Sequence, residues 1–244
     1  MIFTQPHILE ETDDYAVVFK TAKTHCIPIS KNKEETLLDW YAQFSSANID
    51  LKEGGLIHRL DFETHGLVLF AKNLKSFEFF KNLQEKNSFV KEYSAVCTNV
   101  ASADPFSDSN PISGFPPSPN YPLNYARFPV MIESFFRPFG PGRKEVRPVI
   151  EDGKKHHEIA KDKGEMYRTE IIGVNGNVFT VRIKRGFRHQ IRCHLCWIGK
   201  PILNDPLYGN VPSDKAAALV LRAHALYFTD PSSGVEREYR IEHL

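Results

Sequence analysis

A short apolar run at residues 67–71 follows a polar loop that carries Arg59 and Asp61. Five consecutive apolar residues indicate a buried strand, and Gly66 in front of them permits a tight bend or the close approach of another backbone. A carboxylate on the loop before such a strand is held at the edge of a core, where catalytic groups often lie. The alternative is a turn carboxylate paired with Arg59, because Asp is common in turns.

Two later segments favour chemistry over a simple turn. Residues 90–97 alternate in the manner of a strand, which sets the side of the sheet on which Tyr93 lies. Residues 189–198 are compatible with a helix, and Gly199 suits the position after its end. On such a helix Arg192 is able to meet a carboxylate that is distant in sequence.

The three segments together resemble the RluA-type family of RNA pseudouridine synthases, in that family's order and at similar spacing. The matching residues read HRLD at 58–61, KEYSA at 91–95 and HQIRCHL at 189–195. The resemblance implies that the catalytic residues are Asp61, Tyr93 and Arg192. The residues that it implies for substrate binding are His58, Arg59, Thr64, Lys91, His189, Gln190 and Ile191.

The resemblance also implies roles for these side chains. Asp61 acts on the sugar or base of a uridine, as a nucleophile at C1′ or as the base that removes a sugar proton. Arg192 pairs with Asp61 and keeps it ionised. Tyr93 stacks on the extruded uracil, and Arg59 fills the place that the base has left. Ile191 forms an apolar wall on the other side of the ring, with plain core packing as the alternative. The isomerisation needs no redox change, so no cofactor and no metal are expected.

Three departures from the family pattern flank these motifs. Thr21 stands after Lys20 where the family usually has Pro, His65 stands where Ser is usual, and residues 185–188 replace a Thr-Gly-Arg-Thr sequence. Because Asp61 and its two partners are kept, the departures are interpreted as changed substrate contacts.

The resemblance implies an α+β fold with a long, mostly antiparallel mixed sheet, flanking helices and a central RNA-binding cleft. Residues 1–244 are expected to form a single catalytic domain with no separate N-terminal RNA-binding module. The absence of a secretion signal and of long apolar runs predicts a cytoplasmic protein, and a monomer is expected because the cleft must admit a large RNA.

Periodicity adds local predictions. Residues 34–46 and 74–86 have the spacing of amphipathic helices. The Asn-Gly pair at 175–176 predicts a β-hairpin that leads into the third motif. Residues 8–30 are expected to form two short strands, with a turn near residues 21–24.

Residues 102–148 contain ten of the sixteen prolines. Proline donates no hydrogen bond to a sheet ladder, so we expect a long ordered crossover or surface insertion rather than a central sheet. The six Phe residues of the same stretch favour docking onto the body of the protein. A proline motif that binds a partner, at residues 115–119, is the alternative.

The formal net charge of +1 hides two local basic stretches. One contains Arg182, Lys184, Arg185, Arg188 and Arg192, and the other contains Arg137, Arg143, Lys144 and Arg147. Because Lys and Arg bind phosphates, both stretches are candidates for contact with RNA, the expected partner. Solvated surface charge is the alternative interpretation.

Other functions remain open at this stage. A non-catalytic RNA-binding relative would keep the basic stretches without needing Asp61. A glycoside hydrolase would require a second carboxylate such as Glu63 at a defined separation.

Cys193 and Cys196 form a CxxC near His189, which is a possible start of a metal site. A fourth ligand is not evident, and the four cysteines of the chain are expected to be reduced thiols.

Overall fold

The computed structural model describes residues 5–29, 34–45, 50–98, 115–116, 128–150, 165–209 and 217–244. The chain divides into two compact units. The first unit contains residues 1–93 and 221–243, and the second contains residues 94–220 with residue 244. The expectation of a single catalytic domain stays a prediction. Within the described ranges no helix is long and apolar enough to cross a membrane.

The described strands are β1 (His7–Glu11), β2 (Tyr15–Lys20), β3 (His65–Ala71), β4 (Val90–Val96), β5 (Val130–Phe139), β6 (Glu145–Val149), β7 (Tyr167–Asn175), β8 (Val178–Ile183), β9 (Leu221–Thr229) and β10 (Glu236–Arg240). The α-helices are α1 (Leu37–Ala42), α2 (Leu74–Glu85) and α3 (Gln190–Trp197). The helices predicted at residues 34–46 and 74–86 are confirmed as α1 and α2, and the strand predicted at residues 67–71 is confirmed as β3.

In the first unit β2 pairs antiparallel with both β1 and β3, β9 runs parallel to β3, and β10 pairs antiparallel with β9. The parallel contact includes Gly66 opposite Ala223. A Cβ atom on Gly66 would lie 2.2 Å from the Ala223 carbonyl oxygen, and Gly66 has φ +127°. The expectation that this glycine permits a close backbone approach is therefore confirmed.

The core of the first unit lies between its sheet and α2. Phe80 of α2 is fully buried against Leu69 of β3 and Phe228 of β9, while Phe77 and Leu83 pack at the border of this cluster. The helix begins after Asn73, whose side chain accepts a hydrogen bond from the Ser76 N–H. This packing fixes β3, and with it the loop that enters β3.

A turn is present near residues 21–24 as expected, at residues 22–23, but it follows β2 and does not join the first two strands. β1 and β2 are joined at residues 12–14, where the Thr12 hydroxyl accepts hydrogen bonds from the N–H groups of Asp14 and Tyr15. Short polar side chains of this kind stabilise turns by bonding to the backbone that follows them. The residues after Lys20 instead run beside the loop that carries Asp61.

In the second unit β7 pairs antiparallel with β8, which confirms the hairpin predicted at 175–176. β5 pairs with β7 through residues 130–134 and with β6 through residues 135–139. α3 packs on β6 and β7. The α+β class with mostly antiparallel pairing is thus confirmed.

The expectation that proline excludes a sheet from residues 102–148 is wrong for its last part, because β5 and most of β6 lie there. Pro138 pairs with Val146, and Pro148 pairs with Phe136. Both prolines lie in the β5–β6 ladder, beyond the part of β5 that pairs with β7. A missing N–H is tolerated on the open side of such a ribbon. Residues 102–114 and 117–127 lie outside the described residues.

Candidate active site

Asp61 lies on the loop between Leu56 and β3, half-buried in the first unit. The loop turns directly after it, since the Thr64 N–H donates to the Asp61 carbonyl oxygen over 3.1 Å. Before Asp61 in the loop, the Arg59 side chain is exposed and the Leu60 side chain is buried, and after Asp61 the Thr64 side chain is buried. The carboxylate is therefore presented from a fixed turn at the border of the core.

Tyr93, on β4, is buried in the same unit. Burial raises the pKa of its hydroxyl, and the negative charge of Asp61 raises it further. The tyrosine is therefore a neutral phenol at physiological pH, and it lies close enough to Asp61 for the carboxylate charge to raise its pKa. The structure thus brings together two of the three predicted catalytic residues in the first unit.

Lys20 ends β2 and is fully buried. Burial lowers the pKa of its ammonium group to about 8, while Cys26, Asp61 and Glu63 act in the opposite direction. The sequence motifs gave no reason to include this residue in the site. The signal in the sequence that could have identified it is its place directly before Thr21, where the family usually has Pro.

Two buried side chains of the first motif have no hydrogen-bond partner among the described residues. These are His58, at both ring nitrogens, and Thr64, at its hydroxyl. Burial, and then the charges of Lys91 and Lys81, lower the pKa of His58 well below its usual value of 6.5. His58 is therefore neutral, with its ring 5.3 Å from that of Phe89. Buried polar groups normally have partners, so these two are available to a ligand or to water.

Lys91 is also buried, and its ammonium lies 5.1 Å from the centre of the Phe89 ring. Burial, and then Lys81, lower its pKa to about 7. Arg59 differs from its neighbours because 58% of its side chain is exposed, with Glu53 at 3.8 Å. A planar, exposed guanidinium on a fixed loop is suited to stacking on a nucleic-acid base.

The third motif forms the start of α3 in the second unit. His189 precedes the helix with φ +57° and hydrogen-bonds through Nδ1 to the Tyr208 hydroxyl over 3.2 Å. Gln190 is buried, donating to the Arg168 carbonyl oxygen and the Thr169 hydroxyl while accepting from the Phe187 N–H. The amide of Gln190 thus stabilises the start of the helix, and Ile191 is a buried apolar side chain of the same helix.

Arg192 forms a bidentate ion pair with Asp205. Its Nε and Nη2 atoms each lie 2.8 Å from a carboxylate oxygen of Asp205, and both side chains are fully buried. Asp205 also accepts hydrogen bonds from the N–H groups of Leu207 and Tyr208. Sequence reasoning missed this partner. Asp205 lies only one loop after the helix, but a single Asp before a proline gives no specific signal. The pairing of Arg192 with Asp61 stays a prediction.

The two basic stretches are only partly on the surface. Arg147 and Arg192 are buried, so the prediction that the two stretches contact RNA is wrong for these two residues. Arg147 pairs with Glu145 at 2.7 Å and lies 4.2 Å from the centre of the Phe139 ring. The exposed cations of these stretches are Arg143, Lys144, Lys184, Arg185 and Arg188.

Cys193 and Cys196 are buried, and each thiol donates to a backbone carbonyl oxygen, of Val146 and Tyr208 respectively. Burial raises the pKa of both thiols. The described ranges contain no group of three or more His, Cys, Asp or Glu side chains placed to hold a metal ion. The CxxC therefore packs α3 onto its neighbours.

The fold is that of a pseudouridine synthase domain. Human RNA pseudouridylate synthase domain containing 1 superposes with a TM-score of 0.65 at 18% identity, covering 98% of this chain and 83% of that one. Human RNA pseudouridylate synthase domain containing 4 gives 0.63 at 16% identity, covering 97% and 88%.

The sequence matches the RNA pseudouridylate synthase family over residues 14–197, so the chain belongs to that family. It is 27% identical over 222 residues to ribosomal large subunit pseudouridine synthase D of Haemophilus ducreyi, covering 89% of this chain and 58% of the relative. The protein of the same name from Escherichia coli O6:H1 is 24% identical, with 95% and 65% covered. The chain thus spans about three-fifths of these relatives, and the resemblance to the RluA type is confirmed.

Proposed function

We propose that this protein is an RNA pseudouridine synthase that isomerises uridine in structured RNA, with Asp61 as its essential carboxylate. The observation that carries the proposal is the fixed turn at Asp61, which presents a carboxylate beside the buried Tyr93 within the matched family region. The names of the relatives favour ribosomal RNA as the substrate class, with transfer RNA as the other candidate.

The reaction breaks the bond between N1 and C1′ of a uridine, turns the base, and forms a bond between C5 and C1′. The proton on C5 leaves and N1 gains one, so atoms and electrons balance without a co-reactant. A base inside a helix cannot be reached, so the nucleotide leaves the stack at a cost of about a few kcal/mol. Arg59, exposed on the Asp61 loop, is suited to occupy the vacated place.

In this proposal Asp61 acts on the sugar, as a nucleophile at C1′ or as a base that removes a sugar proton. The buried phenol of Tyr93 stacks on the uracil, and its hydroxyl stays protonated because burial and Asp61 raise its pKa. A neutral phenol is able to donate or relay the proton that moves at C5.

We further propose that Arg192 keeps Asp61 ionised during the reaction. The bidentate bond to Asp205 holds the Arg192 guanidinium through Nε and Nη2. An arginine fixed in this way by a buried carboxylate is preorganised, so its charge costs little further ordering when it acts on a second anion. His58 and Thr64 are assigned to substrate contacts because their buried polar atoms have no hydrogen-bond partner in the described part of the chain.

The test is an assay of the purified protein on ribosomal and transfer RNA transcripts, read by site-resolved detection of pseudouridine and by product mass. We expect pseudouridine with no change in RNA mass. Asp61→Asn should lower the rate by on the order of 10²–10⁴-fold or more, as loss of an acid–base group does. Glu63→Gln is the matched control, because it changes the other carboxylate of the same loop and should keep most of the activity.

Release of uracil would indicate base hydrolysis and contradict the isomerase proposal. Binding of RNA with no pseudouridine, for the wild type and Asp61→Asn alike, would favour a non-catalytic RNA-binding protein.

A further inference from the structure

Residues 140–144, which join β5 to β6 in the second unit, form an exposed turn with a fixed backbone. Gly142 and Arg143 have φ of +67° and +54°, and the Arg143 N–H donates to the Gly140 carbonyl oxygen over 3.0 Å. Glycine adopts a positive φ without steric cost, but an arginine there is uncommon. The side chains of Arg143 and Lys144 therefore lie at the end of the β5–β6 ladder, on a turn of defined conformation.

Arg188, in the segment before α3, holds this turn. Its Nη2 atom donates to the carbonyl oxygens of Arg143 and Glu145, over 2.7 and 3.1 Å. A residue other than glycine keeps a positive φ only where its surroundings fix it, and these bonds do so for Arg143. A guanidinium has five N–H donors, and the hydrogen bonds of Arg188 to described residues use Nη2 alone. Its other donors are open to a ligand.

These contacts come from residues that depart from the family pattern. The resemblance gives Arg and Thr at positions 187 and 188, where this chain has Phe187 and Arg188. The Phe187 ring stacks on that of Phe136 of β5, with 4.9 Å between their centroids, and lies 5.0 Å from the ring of Tyr167. The departure therefore joins the segment before the third motif to the β5–β6 hairpin. Phe187 packs against the strands, and Arg188 holds the turn between them.

The turn and Arg188 together have an excess of positive charge. The side chains of Arg143, Lys144 and Arg188 are exposed, and none of them pairs with a carboxylate of a described residue. The nearest acidic side chain in the sequence, Glu145, is paired with the buried Arg147 at 2.7 Å. Since the formal net charge of the whole chain is only +1, the excess belongs to this surface and not to the protein as a whole.

We propose that Arg143, Lys144 and Arg188 form a phosphate-binding surface, the tip surface, which holds the backbone of the structured RNA that the proposed function requires. Lys and Arg bind nucleic acid by neutralising phosphates, and a guanidinium bonds to phosphate oxygens through two parallel N–H groups. A turn that is already fixed loses little further entropy on binding. Because phosphates carry no sequence information, the tip surface positions the RNA backbone at the start of α3 and does not read bases.

The test measures binding of a fluorescently labelled RNA hairpin over a series of KCl concentrations. The double variant Arg143→Ala/Lys144→Ala removes the two cations of the turn. The matched control is Lys75→Ala/Lys86→Ala, which removes two exposed lysines at the two ends of α2, in the first unit, and lowers the net charge equally. Polyglutamate, an acidic polypeptide, is the competing probe.

We expect the double variant to bind the RNA about 10-fold more weakly at about 0.1 M KCl. The slope of log affinity against log salt should fall in magnitude by roughly 1.5, because each lost phosphate contact removes about 0.7–0.9. The control should keep the wild-type slope. An unchanged slope in the double variant, or an equal loss in the control, would overturn the proposal. Tighter binding of polyglutamate than of RNA, lost in the double variant, would also overturn it, because the surface would then fit an acidic protein.

Arg188→Thr, which introduces the residue of the family pattern, tests the contact that holds the turn. We expect hydrogen exchange at the Arg143 amide to become at least about fivefold faster, because the bonds to the Arg143 and Glu145 carbonyl oxygens are lost. The Val146 amide, which donates to the Tyr208 hydroxyl over 2.9 Å, is the internal reference. The salt slope should fall as well. Unchanged exchange at Arg143, or equal acceleration at both amides, would overturn the role of Arg188.

Neither readout requires catalysis, so the tip surface and the proposed function fail separately. A wild type that binds RNA through the tip surface but forms no pseudouridine would refute the isomerase and keep the surface. An active wild type whose double variant keeps the full salt slope would keep the isomerase and overturn the surface.

Discussion

The guanidinium of Arg192 and the carboxylate of Asp205 form two parallel hydrogen bonds of 2.8 Å between fully buried side chains. Taking two charges out of water is expensive, and only such complete pairing offsets the cost. The third motif therefore has a structural requirement as well as a proposed catalytic one.

Asp205→Ala should lower the free energy of unfolding by about 3–5 kcal/mol, because it leaves a buried arginine without its carboxylate. Urea denaturation measures this change. Glu133→Ala is the control, since Glu133 pairs with Arg168 at the surface of the same unit. That exposed pair should contribute only about 0–1 kcal/mol. Similar losses for the two variants would contradict the assignment of a buried, fully compensated pair.

Gly66→Ala should be strongly destabilising because the added Cβ would meet the Ala223 backbone at 2.2 Å. We expect a loss of at least about 2 kcal/mol, from strain at a positive φ together with overpacking. Gly176→Ala provides the comparison, since nothing lies within 4 Å of its Cβ position although φ is also positive. A Gly66→Ala protein as stable as Gly176→Ala would show that β3 and β9 are not in close contact.

His194 makes stability depend on pH. It is buried between Ser134 and Thr169, whose hydroxyl groups lie 2.9 Å from its two ring nitrogens, and burial lowers its pKa to about 3. Below pH 6.5 the unfolded chain takes up a proton that the folded protein does not, so stability falls as pH decreases towards 3. The slope for one group is at most about 1.4 kcal/mol per pH unit.

His194→Gln should therefore flatten the dependence of unfolding free energy on pH between 6.5 and 5, a range above the usual carboxylate pKa values. Chemical denaturation at several pH values provides the measurement. An unchanged slope in His194→Gln would show that this histidine titrates normally in the folded protein.

Arg59→Ala should reduce activity on a structured RNA more than on a short single strand containing the same uridine. The reason is that only a stacked base leaves a gap for the exposed guanidinium to fill. Arg237→Ala removes another half-exposed arginine of the first unit and serves as the control for loss of charge. Equal losses on both RNAs for Arg59→Ala would remove the stacking role.

The sequence was sufficient for features that depend on neighbours along the chain. The strand after Asp61, the hairpin at 175–176 and α3 are each specified by local periodicity and turn residues, and all are present. The motif resemblance added the fold class. It also assigned Tyr93 and Asp61 to one site, and burial together with the charge of Asp61 raises the pKa of Tyr93, while the catalytic roles of both residues stay a prediction.

Features that depend on long-range pairing were missed. Lys20 contacts the Thr64 carbonyl oxygen across 44 positions, through a backbone acceptor that leaves no trace in residue type. β5 and β6 form despite their prolines because a two-stranded ladder offers each proline an open side. The sequence analysis assigned Asp61 as the partner of Arg192. The structure shows a buried ion pair of Arg192 with Asp205, which local sequence patterns do not reveal.

The most direct test of the central claim is site-resolved pseudouridine mapping of total RNA from cells with the protein, without it, and with Asp61→Asn in its place. We predict at least one uridine, in ribosomal RNA, that is modified only when Asp61 is intact. A map that is identical in the three strains would contradict the claim that this chain is a pseudouridine synthase.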